Sequence, residues 1–219
     1  MSDNNFLERI KNVAKNSASV VGILEDEFVF SHSRKKKNFF KSRIIVERFS
    51  GTKDFIPVVI EETILKQVGN YECLKGKSVN VTGEFRSYNT TDSNGKMHLF
   101  LNLLIDKLEI FNSNLDTDLM LNTDILYLKG TICRSINFRY TPLSKRCIAD
   151  ILLSVERKNG VKDYIPCIVW NKDAKYSAKY LNTGNCIEII GRIQSRNYEK
   201  NGADKIAYEV SIKSIKKID

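Results

Sequence analysis

The sequence predicts an all-β protein made of two tandem copies of a five-stranded barrel, each with one short helix between its third and fourth strands. Three observations support this fold class. One segment recurs about 109 residues later in the chain. Apolar and polar residues alternate in strand-length runs, as they do in strands that bury one face. Glycines recur at matching positions in both halves, where a small barrel needs tight bends. A five-stranded Greek-key barrel of this kind is an OB-fold.

The repeat relates Val46–Val59 (VERFSGTKDFIPVV) to Val155–Ile168 (VERKNGVKDYIPCI). Eight of its fourteen positions are identical, including a glycine and a proline. Average residue usage would supply about one identity in such a window. The similarity continues downstream, where Gly83 matches Gly191 with a slip of one residue, as a change in loop length would produce. Two copies of one fold, each near 100 residues, therefore lie in tandem.

These matches divide the chain into four segments. We expect an N-terminal helix in residues 1–16, a first OB-fold in residues 17–111, a linker in residues 112–123 and a second OB-fold in residues 124–219. The expected strands of the first copy are Val20–Leu24, Arg43–Phe49, Asp54–Ile60, Ser78–Tyr88 and His98–Phe111, with a helix at Ile64–Tyr71. Those of the second copy are Ile125–Ser135, Arg146–Arg157, Asp163–Asn171, Cys186–Tyr198 and Ile206–Ile215, with a helix at Ala174–Tyr180.

Composition limits the possible functions. The net charge of +9 and the pI near 9.2 favour an anionic partner, nucleic acid before an acidic membrane. No Ser/His/Asp set, HExxH motif or phosphate-binding glycine-rich loop appears, so we expect neither an enzyme nor a cofactor. Five scattered cysteines without a CxxC pair, and no signal peptide or membrane-length apolar run, predict a reduced protein in the cytoplasm.

Two strands of the second copy show one apolar face and one mixed face. Ile165, Cys167 and Val169 alternate with Tyr164 and Trp170 in the first of these strands. In the second strand, Ile187, Ile189, Gly191 and Ile193 alternate with a polar set that comprises Arg192, Gln194, Arg196 and Tyr198. Aromatic, cationic and amide groups on one face suit base stacking and phosphate pairing. The alternative is an ordinary barrel strand with a polar outer surface.

A basic loop in the first copy, SHSRKKKNFFKS, offers a second cationic segment. Basic residues followed by Phe39 and Phe40 favour an arm that contacts phosphates, whereas a solvated hairpin tip is the alternative. The candidate contacts are Arg34, Lys35, Lys36 and Lys37.

The second copy resembles bacterial single-stranded DNA-binding proteins over about Ile125–Ile215. The resemblance rests on DYIPCIVWNKDAKYSAKYLNTGNCIEIIGRIQSRNYEKNG and on FRYTPLSK at Phe138–Lys145, which resembles the loop between strands one and two of that family. It implies OB-folds that bind single strands without catalysis, in replication, recombination or repair. It also implies stacking by Tyr164, Trp170 and Tyr198, with Arg139 and Tyr140 near the strand path. Phosphates would then be neutralised by Arg192, Arg196, Lys158, Lys162 and Lys200.

The first copy departs from this pattern. It presents Phe55, Arg86 and Tyr88 as candidate contacts, but Glu61 takes the position of Trp170, and Glu84 lies among the outward residues. Carboxylates repel phosphate, so we expect the second copy to bind more strongly.

The resemblance also implies a likeness in assembly. Family members bring four OB-folds together, which predicts a homodimer of this two-barrel chain. The final residues SIKSIKKID are basic where the family has an acidic tip, so recruitment of repair proteins by such a tail is not expected. Alternative functions are a primosome-like or plasmid- or phage-specific accessory factor, an RNA-binding OB protein, or a structural protein that uses its barrel faces for protein contacts.

Overall fold

The computed structural model describes residues 14–91, 95–111, 124–142, 144–200 and 202–218, without the side chains of Lys200 and Ala203. Most of the predicted N-terminal helix and all of the predicted linker therefore lie outside the described residues.

The described residues of the first half form six strands and one short helix. Its elements are β1 (Asn16–Leu24), β2 (Val29–Arg34), β3 (Lys37–Glu47), β4 (Lys53–Glu61), α1 (Glu62–Leu65), β5 (Ser78–Thr91) and β6 (Met97–Ile110). Two 3-10 turns, Lys66–Val68 and Tyr71–Cys73, follow α1.

The second half repeats this order with a longer helix. Its elements are β7 (Ile125–Ile132), β8 (Asn137–Tyr140), β9 (Cys147–Glu156), β10 (Lys162–Trp170), α2 (Asn171–Tyr180), β11 (Cys186–Lys200) and β12 (Ala203–Ile218).

Each half closes into a five-stranded barrel. In the first half, β1 pairs with both β3 and β5, β3 pairs with β4, β5 pairs with β6, and a short parallel pairing of β4 with β6 completes the ring. In the second half, β7, β9, β10, β12 and β11 close in the same way. Strands β2 and β8 extend the barrels as short outer strands. The predicted fold class of two tandem OB-folds is confirmed.

Three local predictions differ from the structure. The basic stretch predicted as a loop is a β-hairpin, in which β2 and β3 meet at a two-residue turn of Lys35 and Lys36. Both lysines have positive φ, of 49° and 62°, as such a turn requires, although their sequence lacks the usual Asn-Gly signal. The second half forms the equivalent short strand β8 from residues of the predicted FRYTPLSK loop. The helix predicted at Ile64–Tyr71 is interrupted at Gly69, which has a φ of 81°.

Glycine at one repeated position has a packing cause. Gly191 lies at a register shift in the β11–β12 pairing, and a Cβ there would lie 2.5 Å from the Ser211 carbonyl oxygen. Gly83, its equivalent, is similarly close to the backbone of Leu104 in β6. The bend needed for barrel closure therefore leaves no room for a side chain at either position.

The two barrels join through their first strands. Strand β1 pairs with β7 antiparallel, from Asn16 opposite Leu128 to Ser19 opposite Ile125. This pairing makes one continuous twelve-stranded sheet. The edges of both barrels at the junction are thus satisfied by backbone hydrogen bonds.

Equivalent polar side chains flank this junction but differ in their bonding. The buried Asn16 amide accepts a hydrogen bond from the Phe85 N–H and donates one to the Phe85 carbonyl, at 3.0 and 2.7 Å. Asp124, one residue before β7, accepts from the Ile193 N–H at 3.1 Å, while its other oxygen is buried without a hydrogen-bond partner. Burial raises the pKa of Asp124 to about 8.

Asp124→Asn is expected to stabilise the protein at alkaline pH. The folded-state pKa of about 8 lies above the ordinary 3.8. The contribution of the neutral Asp124 carboxyl to the free energy of unfolding is therefore fully present below about pH 4. This contribution is lost as pH rises through about 8. An amide stays neutral, so the variant should be more stable by about 1–3 kcal/mol at pH 9. Urea unfolding at about pH 5, 7 and 9 measures this, with exposed Asp106→Asn as control. Parallel pH profiles for wild type and Asp124→Asn would contradict it.

Candidate nucleic-acid interface

A groove on the second barrel combines residues from both halves of the chain. We call it the C-terminal groove, and it has a volume of about 600 Å³. The second barrel supplies Trp170 from the end of β10, Arg146 before β9 and Arg192 from β11. The first barrel supplies Arg48 from the β3–β4 turn and Lys53 from the start of β4. The remaining lining residues include Thr52, Phe55, Gln194, Ser195, Arg196 and Asn197.

A second groove lies on the first barrel, and a turn of the second barrel completes its lining. This N-terminal groove, of about 560 Å³, is lined by Phe39 and Tyr88 of the first barrel and by Arg157 and Lys158 from the β9–β10 turn of the second. The other lining residues include His32, Arg34, Glu84, Arg86, Asn102 and Asn159. Each barrel thus presents a turn to the groove of its neighbour.

Buried ion pairs hold the β3–β4 turn in place. Asp54, which is 1% exposed, accepts hydrogen bonds from Nε and Nη2 of Arg48, both at 2.6 Å. The same carboxylate accepts from the Ser195 N–H on the second barrel at 2.7 Å, and the Phe55 N–H donates to Ser195 Oγ at 2.9 Å. A buried carboxylate needs such partners, because burial removes its hydration.

The equivalent residues of the second copy form the same contacts, here from the second barrel to the first. Asp163, also 1% exposed, accepts from Arg157 Nε at 2.8 Å and from the Ser87 N–H of the first barrel at 2.6 Å. The Tyr164 N–H donates to Ser87 Oγ at 2.8 Å, and Arg157 Nη2 donates to the Ser87 carbonyl at 2.9 Å. The repeated Arg and Asp of the VERxxGxKD segment therefore join the barrels.

The exchange of turns separates two lysines that the resemblance predicts as phosphate contacts. Lys158 lines the N-terminal groove on the other barrel. Lys162 is exposed at the start of β10 but is not among the residues that line either groove. The β9–β10 turn therefore carries Lys158 across the junction to the first barrel. The side chain of Lys200 lies outside the described residues.

The predicted aromatic residues occupy different environments. Trp170 is half-buried at the C-terminal groove. Tyr198 is half-buried on β11, with the Arg196 guanidinium 5.9 Å from its ring centre. Tyr164 is 40% exposed, and its backbone contacts Ser87 of the first barrel. The Arg196 guanidinium and the Tyr198 ring are thus close enough for a cation–π contact.

Arg139 and Tyr140 lie on opposite faces of β8. Arg139 is in register with Ile148, which is in register with Trp170, so these residues share a face. The Arg139 guanidinium binds both oxygens of Asp150, at 2.9 and 3.2 Å. Tyr140 is 58% exposed, and its ring meets that of Phe138, which packs against the core, at 5.5 Å. Tyr140 therefore points away from the Trp170 face.

Three predicted polar contacts on the β5 and β11 strands are partly or wholly buried. Gln194 is 7% exposed and donates to Glu209 at 2.7 Å. Burial lowers the pKa of Arg192 and of Arg86. Arg86 forms ion pairs with Glu84 and, across the junction, with Asp163 at 3.5 Å. The Gln194 amide is thus already hydrogen-bonded within the protein, whereas the guanidinium groups of Arg192 and Arg86 line the grooves.

The carboxylates of the first copy are paired with cations. Glu61 accepts a hydrogen bond from Lys37 at 2.8 Å, and this contact is the main reason that its pKa is lowered. Glu84 is paired with Arg86. These pairs reduce the expected repulsion of phosphate, but they also occupy two of the predicted cations. Arg34, Lys35 and Lys36 remain exposed on the hairpin.

Two stacked pairs of aromatic rings lie near the N-terminal groove, and the sequence did not predict them. His32 and Phe39 stack with ring centres 4.9 Å apart and planes 9° apart. Tyr88 and Phe100 stack at 5.4 Å and 14°. Both pairs join residues opposite each other on neighbouring strands. Predicting them would have required the register of each hairpin. The first barrel thus offers aromatic faces without a residue equivalent to Trp170.

Within the described residues, no cluster of His, Cys, Asp and Glu could hold a metal ion. No helix among them is long and apolar enough to cross a membrane.

Comparison with known proteins adds a family assignment. Residues 124–218 match the model of the single-strand binding protein family. A single-stranded DNA-binding protein of Clostridium tetani is 35% identical over 95 residues, covering 41% of this chain and 66% of that protein. Single-stranded DNA-binding protein 1 of Streptococcus pyogenes is 34% identical over 93 residues, covering 40% and 69%. The matched segment thus spans about two-thirds of these relatives.

Solved structures match over nearly the whole chain. The wild-type single-stranded DNA binding protein of Thermus aquaticus superposes with a TM-score of 0.71 at 15% identity, covering 93% of each chain. A deletion mutant of that protein gives a TM-score of 0.72 at 14% identity, covering 93% of this chain and 94% of the mutant. This likeness extends the shared fold to the first barrel. The chain belongs to the single-strand binding protein family, in a form with two OB-folds.

Proposed function

We propose that this protein binds single-stranded DNA without strong sequence preference and protects it during replication, recombination or repair, as a binding protein without catalytic activity. The C-terminal groove carries this proposal, because an indole and guanidinium groups meet there at one open surface. The related proteins of Clostridium tetani and Streptococcus pyogenes are named as single-stranded DNA-binding proteins, which agrees with this chemistry. Such a role would place the protein with the nucleoid in the cytoplasm.

Stacking and charge explain the preference for single strands. Any base can stack on the Trp170 ring, and each such contact contributes about 1–3 kcal/mol whatever the base. Arg192, Arg146 and Lys53 lie around this ring and can neutralise phosphates. A duplex keeps its bases stacked on one another, so only the phosphate contacts would remain.

Trp170→Ala is expected to weaken binding of oligo-dT by about 1–3 kcal/mol, with little change in salt dependence, because stacking is lost and no charge is removed. Trp170 is the only tryptophan of the sequence, so oligo-dT should also quench the fluorescence of the wild-type protein. Anisotropy of a labelled oligonucleotide measures affinity in both proteins, and Trp170→Phe should retain most of it. Unchanged wild-type fluorescence together with no gel shift at low salt would reject the proposed function.

Lys53→Ala should weaken binding at the C-terminal groove more than Lys162→Ala does. The two lysines hold equivalent positions in the repeat and are both exposed, but only Lys53 lines that groove. Loss of one phosphate contact on a single strand should lower the salt slope by about 0.7. Titrations at several salt concentrations, read by Trp170 quenching, give these slopes. Equal slopes for both variants would show that the exchanged turn does not contact DNA.

We also propose that two chains associate, so that four barrels form one assembly. Val29 and Phe30 on the outer strand β2 are 53% and 58% exposed, and this strand ends the twelve-stranded sheet. An exposed apolar edge strand is a suitable contact surface. Analytical ultracentrifugation should give twice the chain mass, and Phe30→Lys should shift the protein toward the monomer. A monomer mass that does not change with concentration would exclude the homodimer.

A further inference from the structure

A second surface of aromatic and cationic side chains lies outside both grooves, on helix α2. Tyr176 and Tyr180 are one helical turn apart, with ring centres at 5.3 Å and exposures of 39% and 53%. Lys179 Nζ lies 5.0 Å from the centre of the Tyr180 ring. Lys172 and Lys175 are also exposed on this helix. We call these five residues the α2 surface.

The helix does not need these residues for packing. Ala174 and Ser177 are its buried positions, and Leu181, just beyond its end, is 3% exposed. Asp173 is the only acidic residue in α2, against three lysines. The corresponding helix of the first barrel, α1, has four residues (ETIL) and no such set. A solvated charged face would account for the lysines but not for two neighbouring exposed tyrosine rings.

The α2 surface begins two residues after Trp170, which lines the C-terminal groove. Trp170 lines the groove and directly precedes Asn171, the first residue of α2. Asn171 has a φ of 54°, which turns the chain sharply from strand to helix, and its carbonyl accepts a hydrogen bond from Cys147 Sγ at 3.2 Å. The first turn of α2 therefore lies next to Trp170 at the edge of the groove.

We propose that single-stranded DNA continues from Trp170 onto the α2 surface, where bases meet Tyr176 and Tyr180 and phosphates meet the three lysines. Rings that alternate with cations are the chemistry that binds single-stranded nucleic acid without reading its sequence. Lys172 and Tyr180 are eight residues apart, about 12 Å along the helix. This inference rests on the proposed function and adds a second contact region to it.

Chain length separates the two regions in an experiment. The triple variant Lys172→Gln, Lys175→Gln, Lys179→Gln should keep wild-type affinity for the shortest oligo-dT that saturates Trp170 quenching. For longer oligomers it should lose affinity, with a salt slope lower by about two units. The matched control changes Lys213, Lys216 and Lys217 to Gln, which removes the same charge from exposed positions near the far end of β12. That control should bind both lengths as the wild type does.

Base stacking is tested by the tyrosines. Tyr176→Ala with Tyr180→Ala should reduce affinity for the longer oligomer about tenfold or more, while the double Phe variant should retain it. Thermal unfolding of both variants verifies that the helix is folded. If wild type binds but the lysine variant matches its control at every length, the α2 surface is solvent-exposed only or serves an acidic protein partner, and the inference fails. If wild type does not bind oligo-dT, the proposed function itself fails.

Discussion

Two buried carboxylates connect the barrels and determine which residues line each groove. Asp54 and Asp163 each bind an arginine of their own turn and a serine backbone of the other barrel. A buried charge is stable only with close partners, and removal of one partner typically costs about 3–5 kcal/mol. The turn that carries the arginine is therefore fixed across the junction, and Lys53 or Lys158 follows it into the neighbouring groove.

This arrangement makes both grooves composite, because residues of both barrels line each of them. It also leaves the grooves chemically different. The C-terminal groove combines a single indole with guanidinium groups, whereas stacked ring pairs lie at the N-terminal groove, whose Glu84 is neutralised by Arg86. The similarity of the barrels lies in their backbone and their junction, and the difference lies in the outward side chains. A strand that contacts both grooves would meet two kinds of aromatic surface.

Sequence periodicity predicted which residues of a strand face its own core. Ile165, Cys167 and Val169 are buried, while Trp170 is half-buried at the groove. Periodicity could not show what covers the other face. Gln194 belongs by alternation to the outward set, yet it is 7% exposed and bonded to Glu209. Alternation of apolar and polar residues predicts the face on which a side chain lies. It does not predict which residues from other strands cover that face.

Two copies of one β-barrel could be predicted from the residue order alone, because both the repeat and the alternation are local patterns. The residue order also carries the family resemblance. That resemblance lies in the second copy, in the stretch around Trp170. Which turn completes which groove depends instead on contacts between the two folded barrels. The decisive hydrogen bonds, Ser87 to Asp163 and Ser195 to Asp54, join residues 76 and 141 positions apart. Such contacts follow from how two closed barrels pack through β1 and β7, which no local pattern specifies.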